Sequence, residues 1–278
     1  MEYLRLLPNK KLNAIYFGLS LSEYEYATIN KSGDISELQS KIRKCNNLDS
    51  TRDFFQMARG CTCEVYPFWP RAALLESALF FINDGVLDMP KYQNYVNKLY
   101  NITDEERNND FFKWVENFPT HLQRIMQNDL FAQINVQLMG IVHALNVVED
   151  LERLAEALSV PQMKTSINKI MVYICPLKCC YSADYFTKED EMFVMLGDYL
   201  PHSIVHEYLH LAVNPLVQKH KEHITAGDKY PGIDSSYYLN GDRDGFLNAF
   251  EEYIVTEASE KIGHGHAIDI ESLIHQFI

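Results

Sequence analysis

The chain has 278 residues, 47% of them apolar, so it is long enough to bury a substantial core as one large domain or two closely packed ones. Its formal charge of −13 opposes nucleic-acid binding, which depends mainly on cationic contacts that release counterions from phosphates. No apolar stretch approaches the roughly 20 residues needed to cross a bilayer, and residues 1–20 lack the features of a cleaved leader. We therefore expect a cytoplasmic protein with no nucleic-acid and no membrane partner.

The cysteines argue against a disulfide scaffold, because six in a chain of this length are too few. The groups Cys61-Thr62-Cys63 and Cys179-Cys180 also lack the paired spacing of a structural zinc site, which must bring four ligands together tetrahedrally. Buried or half-buried thiols are the expectation at these positions.

The first half of the chain has the apolar periodicity of helices. Apolar residues recur at spacings of three and four, which is typical of helices with one buried face. The stretches with this pattern are Glu37 to Ala58, Pro70 to Ile82, Asp110 to Phe118 and Leu122 to Leu158. Asn83-Asp84-Gly85 is a stop signal after the second of these. Residues 1–160 are therefore predicted to form a mostly helical N-terminal region.

The pattern changes near residue 160. Lys169 to Cys175 and Glu191 to Leu196 are short runs of β-favouring residues, which predicts two antiparallel strands. A helix is predicted from Pro201 to Asn214-Pro215, because proline disrupts the interior of a helix. Taken together, the chain is predicted to have an α+β fold, mainly helical, with a small antiparallel sheet beside this helix in residues 161–278.

The helix from Pro201 carries the sequence His206-Glu207-Tyr208-Leu209-His210. Residues four apart lie on the same helix face, so His206 and His210 can each place a ring nitrogen on one ion about 2.0–2.1 Å away. Glu207 points slightly aside, which suits a carboxylate that takes a proton from a metal-bound water and passes it to the leaving group. This pattern predicts a zinc-dependent hydrolase of peptide or amide bonds with Glu207 as general base.

A catalytic zinc ion also needs a third protein ligand and one open position. A metzincin-type continuation would require a glycine seven residues and a histidine ten residues after His206, but Val213 and Leu216 occupy those positions. A glutamate on a later helix is the alternative, and the segment from Gly245 to Ser259 supplies several carboxylates.

The motif His206 to His210, followed by a helix with Glu251-Glu252, resembles the gluzincin group of zinc metallopeptidases. The segments His206 to Pro215 and Glu252 to Ala258 are similar to bacterial zincin-like domains that carry no assigned function. The resemblance implies a zincin-like catalytic domain, one zinc ion on His206, His210 and one of the two glutamates, and Glu207 as general base. A short apolar stretch follows the ligand glutamate in the resembling families, which favours Glu252, with Glu251 as the alternative. The substrate is left open, since such domains share a metal site across many specificities.

A calcium site is a competing interpretation of the segment around Glu251. Asn240, Asp242, Asp244, Gly245 and Glu251 fall on the spacing of an EF-hand loop, which would make Glu251 a calcium ligand. An acidic turn that caps the next helix explains the same residues.

Several aromatic and histidine residues are available to stabilise an oxyanion, although none is distinguished by the sequence. These candidates are Tyr230, Tyr237, Tyr238, His264 and His266. His220 and His223, just beyond the motif helix, are predicted to be surface residues, with a bridging role at a second metal as the alternative.

Two other function classes stay open beside a peptidase with a peptide or protein substrate. A zincin-like scaffold that retains its metal could serve as a catalytically inactive binding or regulatory module. Glu207 speaks against this, because a pure binder needs no acid/base carboxylate beside the metal. The third class is a helical interaction protein without metal, in which His206 and His210 are surface histidines.

Overall fold

The computed structural model describes residues 3–24, 33–57, 71–100, 111–159, 165–180, 183–224, 243–263 and 268–276. In these residues the fold is α+β and mostly helical, with a small mixed sheet and a two-stranded antiparallel sheet. The helices are α1 (Lys10–Leu21), α2 (Gly33–Arg43), α3 (Asp49–Met57), α4 (Arg71–Ala78), α5 (Met89–Tyr100), α6 (residues 111–115), α7 (Phe118–Met126), α8 (Asp129–His143), α9 (Val148–Leu158), α10 (Pro201–His220), α11 (Arg243–Gly263) and α12 (Ile270–His275). The strands are β1 (Tyr3–Leu7), β2 (Ile82–Asn83), β3 (Val86–Leu87), β4 (Lys169–Ile174), β5 (Ala183–Lys188) and β6 (Glu191–Leu196).

The mixed sheet has the order β1-β4-β6-β5. Strands β4 and β6 were predicted as an antiparallel pair, and this is wrong: they are parallel, with Lys169 opposite Glu191. The reason is β5, which the sequence pattern did not reveal. It forms an antiparallel hairpin with β6 through a turn in which Glu189 has a φ of 57°, and β6 then lies between β4 and β5.

Both faces of this sheet are buried. Ile170, Val172 and Ile174 of β4 belong to the apolar core shared with α10, α11 and α12. Met171 and Tyr173 pack on the other side against the core of the N-terminal helices. Parallel pairing is found almost only in sheets covered on both faces, so the two layers of helices make this topology possible.

The helical stretches predicted in the N-terminal half contain several helices. Leu122 to Leu158 forms α7, α8 and α9. Asn128 starts α8, because its side chain accepts hydrogen bonds from the backbone N–H groups of Leu130 and Phe131. The stretch Glu37 to Ala58 is likewise split into α2 and α3. Local caps therefore interrupt an apolar periodicity that continues across them.

The stop signal after α4 is confirmed. The chain turns between β2 and β3 with Asp84 and Gly85 at φ values of 48° and 79°, a region that favours glycine and asparagine-like residues. Among the described residues no single helix has the length and apolar character to span a membrane, and only α8 and α9 together, bent by 68°, meet that test.

The motif helix α10 does not end at Asn214-Pro215 as predicted but continues to His220, with Pro215 inside it. Proline removes one backbone hydrogen bond from a helix interior. Val213 and Val217 lie on the same face and are fully buried, so their packing holds the last turns in place. The consequence is that His220 lies on the same helix as the motif.

A buried polar cluster joins the helical half to the sheet. The Lys178 ammonium is fully buried and donates to the Tyr16 hydroxyl at 2.9 Å and to Glu76 Oε1 at 3.1 Å. It also forms an ion pair with Asp184 of β5. Burial raises the pKa of Glu76 to about 8, against the lowering effect of Lys178, and Asp184 raises it further. The cluster therefore ties α1 and α4 to the strand next to the candidate site.

Candidate metal centre

Two adjacent helices supply the polar side chains of the site. The predicted residues His206, Glu207 and His210 lie on α10, and Glu251 and Glu252 lie on α11. The apolar faces of both helices belong to one buried core. Helix packing therefore brings together residues that are about forty positions apart in the sequence.

Three of the predicted residues meet around one point. Ligand atoms of His206, His210 and Glu252 all lie within 4.8 Å of one another, so this group could hold a metal ion. The two Nε2 atoms are 3.3 Å apart. Glu252 Oε2 lies 3.3 Å from His206 Nε2, and Glu252 Oε1 lies 3.4 Å from His210 Nε2.

Glu251 occupies a different place from Glu252. Its Oε1 lies 2.9 Å from His210 Nδ1, and its Oε2 accepts a hydrogen bond of 2.7 Å from Asn214 Nδ2. This contact fixes the imidazole so that Nε2 faces His206 and Glu252. Of the two glutamates, Glu252 is the one placed to complete the ligand group.

Glu207 is buried beside this group. Burial raises its pKa to about 7, and the nearby His210 and His206 oppose the shift, while Asp184 and Glu252 add to it. A carboxyl with a pKa close to neutrality can both accept and deliver a proton at physiological pH.

The carboxylates around His210 favour its charged form. Burial lowers the pKa of His210, but the hydrogen bond that its Nδ1–H donates to Glu251 and the charges of Glu252 and Glu207 outweigh this and raise the pKa to about 9. The pKa of Glu252 is lowered, because its contacts with His206 and His210 outweigh its burial. Three carboxylates thus surround two imidazoles, an excess of negative charge that suits a cation.

Tyr185 of β5 is a site residue that sequence reasoning missed. Its ring stacks on His210 with centroids 6.2 Å apart and an interplanar angle of 17°. A cavity of about 530 Å³ lies on the same side of the sheet, lined in part by Thr187 of β5 and by Leu211 and Pro215 of α10. Asn214 was also missed, although its position four residues after His210 on one helix face is a usable signal.

The predicted calcium ligands and oxyanion residues lie partly or wholly outside the described residues. Asn240 and Asp242 of the predicted calcium loop lie outside the described residues, whereas residues 243–251 belong to helix α11. The Glu251 carboxylate contacts His210 and Asn214. The five oxyanion candidates also lie outside the described residues: Tyr230, Tyr237, Tyr238, His264 and His266.

His223 is exposed as predicted, whereas His220 is not a surface residue: only 12% of its side chain is exposed, because the continued helix α10 carries it against α12. Cys179 is buried and Cys180 half-buried, in agreement with the sequence, and Cys61 and Cys63 lie outside the described residues.

Comparison with known proteins adds no assignment: no family model, curated protein or solved structure matches the chain. The functional argument therefore depends on the residues of the site itself.

Proposed function

We propose that the chain is a zinc-dependent peptidase of the gluzincin type, with His206, His210 and Glu252 as ligands of one zinc ion. The observation that carries the proposal is the spacing of their ligand atoms. An ion with tetrahedral ligands at about 2.0–2.1 Å holds neighbouring ligand atoms about 3.3–3.4 Å apart. The Nε2–Nε2 separation of 3.3 Å fits this requirement. Each Nε2 also has one oxygen of Glu252 at 3.3 or 3.4 Å, Oε2 for His206 and Oε1 for His210.

The donor set also fits a catalytic ion better than a structural one. Two imidazoles and a carboxylate leave one of four positions open. His206 and Glu252 have side chains that are 26% and 30% exposed, so the open side reaches solvent and a substrate. Zinc bound here would act as a Lewis acid that polarises a carbonyl and lowers the pKa of water.

Glu207 is the general base in this proposal. Its carboxylate is buried beside the ligand group, where it would accept a proton from the attacking water and deliver that proton to the leaving nitrogen. Glu251 and Asn214 act through His210, because their hydrogen bonds fix the orientation of its ring.

The peptide substrate lies along β5 in this proposal. In the described sheet β5 is an edge strand, and its residue Tyr185 stacks on His210. An extended peptide can pair with such an edge through backbone hydrogen bonds, which would place a scissile bond beside the ligand group. The cavity next to Thr187 and Leu211 would receive a substrate side chain.

The test uses the zinc-loaded chain, a library of proteome-derived peptides and mass spectrometry of new termini. We expect cleavage by the wild type and a loss of about 10²–10⁴-fold in rate for Glu207→Gln, the contribution typical of a general base. Zinc content is measured in parallel and should equal that of the wild type. Glu260→Gln, an exposed change on α11, is the matched control and should cleave like the wild type.

Two outcomes would contradict the proposal in different ways. Full activity of Glu207→Gln would remove the general-base assignment. Stoichiometric zinc without cleavage of any peptide would favour a metal-retaining binding module instead.

A further inference from the structure

A second group of metal-ligating side chains lies at the other end of the motif helix. Ligand atoms of His220, Glu271 and His275 lie within 4.8 Å of one another. His220 is the last residue of α10, fourteen positions after His206, which corresponds to roughly 21 Å along a helix. This group is therefore separate from the candidate metal centre.

The geometry of the group converges on one point. Glu271 and His275 are four residues apart on α12, so they lie on the same helix face. His220 Nε2 lies 3.6 Å from Glu271 Oε1, and the rings of His220 and His275 have centroids 4.8 Å apart at an angle of 74°. Two helices thus direct three ligands at a common position.

His220 provides an independent sign that something is bound here. Its Nε2 is buried from solvent and has only a long contact of 3.6 Å, to Glu271 Oε1, among the described residues. A buried polar atom without a close partner destabilises the folded state. A cation between His220, Glu271 and His275 would satisfy this nitrogen.

We propose that His220, Glu271 and His275 form a second metal site, which takes a divalent transition-metal ion such as zinc. A set of two imidazoles and one carboxylate favours such ions over magnesium and calcium, which prefer oxygen ligands. Glu271 and His275 are exposed, so water can complete the coordination. The ion joins α12 to the end of α10 and so has a structural role.

Lys219 competes with the ion in this arrangement. Its ammonium group is paired with Glu271 Oε1, and its side chain is 59% exposed. The bound ion would displace this flexible cation or share the carboxylate with it. Removal of the Lys219 charge should therefore strengthen metal binding, whereas the loss of an ordinary structural ion pair would give no such gain.

The test is calorimetric titration of Zn²⁺ into a His206→Ala/His210→Ala variant, which lacks the first site. We expect one equivalent to bind and to raise the Tm of the variant. His220→Ala or His275→Ala in this background should abolish stoichiometric binding, and Lys219→Ala should tighten it. His223→Ala, an exposed histidine three residues from His220, is the matched control and should bind like its parent.

Absence of binding in the folded His206→Ala/His210→Ala variant would overturn the proposal. So would binding that persists in both His220→Ala and His275→Ala, or that is lost in His223→Ala. If the double variant does not fold, the same titration is carried out on the wild type and on the single variant His275→Ala. His275→Ala must then bind one equivalent of Zn²⁺ fewer than the wild type, and equal stoichiometry overturns the proposal.

Discussion

Two consecutive glutamates have different partners in this structure. Glu252 approaches the Nε2 atoms of both histidines, while Glu251 contacts the far nitrogen of His210 and the amide of Asn214. Adjacent residues on a helix point about 100° apart. This rotation lets one carboxylate reach the ligand position while the other supports a ligand from behind.

The different contacts of Glu251 and Glu252 predict that removing their charges has unequal effects on zinc affinity. Glu252→Gln takes an anionic ligand from the metal and should reduce zinc affinity more than Glu251→Gln, for which a loss of about 10–100-fold is expected of an outer partner. Equilibrium dialysis with Zn²⁺ measures both, and Glu260→Gln on the same helix serves as control. The reverse order of effects would show that Glu251 is the ligand.

Most residues of the candidate site could be predicted from the sequence. The spacing of His206 and His210 depends only on helix geometry, so it could be read directly from the sequence. Tyr185 could not, because its contact with His210 depends on how β5 lies against α10, and that is set by tertiary packing. Local periodicity carries no information about such contacts.

Among the elements, the connection between β4 and β5 depends on a close backbone contact. Gly197 follows β6, and a Cβ atom added there would lie 2.1 Å from the carbonyl oxygen of Cys179. The obstacle is backbone, so no side-chain rotation can relieve it. Only glycine allows the segment that carries Lys178 to approach the end of β6.

Gly197→Ala should therefore lower the free energy of unfolding by about 1–3 kcal/mol, the usual cost of overpacking. Gly140→Ala in α8 is the matched control, because an added Cβ meets nothing within 4 Å there. The helix propensity of alanine should make this control more stable by about 0.5–1 kcal/mol. Urea unfolding of both variants measures the difference, and wild-type stability of Gly197→Ala would contradict the contact.

Element positions were predicted better than their pairing. The apolar runs of β4 and β6 were recognisable, but polar and apolar residues do not alternate in the six residues of β5, and one of its two buried side chains is Asp184. Without β5, two neighbouring strands in sequence are expected to pair antiparallel. The correct parallel register follows only from the hairpin that inserts β6 between β4 and β5.

For the whole molecule, the sheet lies between two apolar cores, and a buried charged cluster joins the N-terminal helices to the sheet. Tyr16 and Glu76 come from the N-terminal helices, Lys178 from the loop after β4 and Asp184 from β5. Residues more than 100 positions apart meet here, so sequence spacing could not have predicted the cluster. Through Asp184 it also adjoins Tyr185, which contacts the candidate metal centre.

The charge state of this cluster gives a pH-dependent prediction. Glu76 has a pKa of about 8 in the folded protein, above the value of about 4.3 for an exposed glutamate. A raised pKa means that the folded state holds the proton more tightly, so this contribution to stability is complete below about pH 4.3 and is lost as the pH rises through 8. Glu76→Gln mimics the protonated form and has no proton to lose. Its stability relative to the wild type should therefore increase from pH 5 to pH 8, as measured by urea unfolding.

Lys178→Met provides the contrast in the same cluster. It removes the cation that faces Asp184 in a fully buried position, which should destabilise the protein by about 3–5 kcal/mol. Lys169→Met, which breaks the partly exposed ion pair with Glu191, should cost less than about 1 kcal/mol.

A stability difference between Glu76→Gln and the wild type that did not change with pH would show that Glu76 is ionised throughout. In that case Lys178 would face two ionised carboxylates, Glu76 and Asp184, and the cluster would keep one net negative charge at every pH of the experiment.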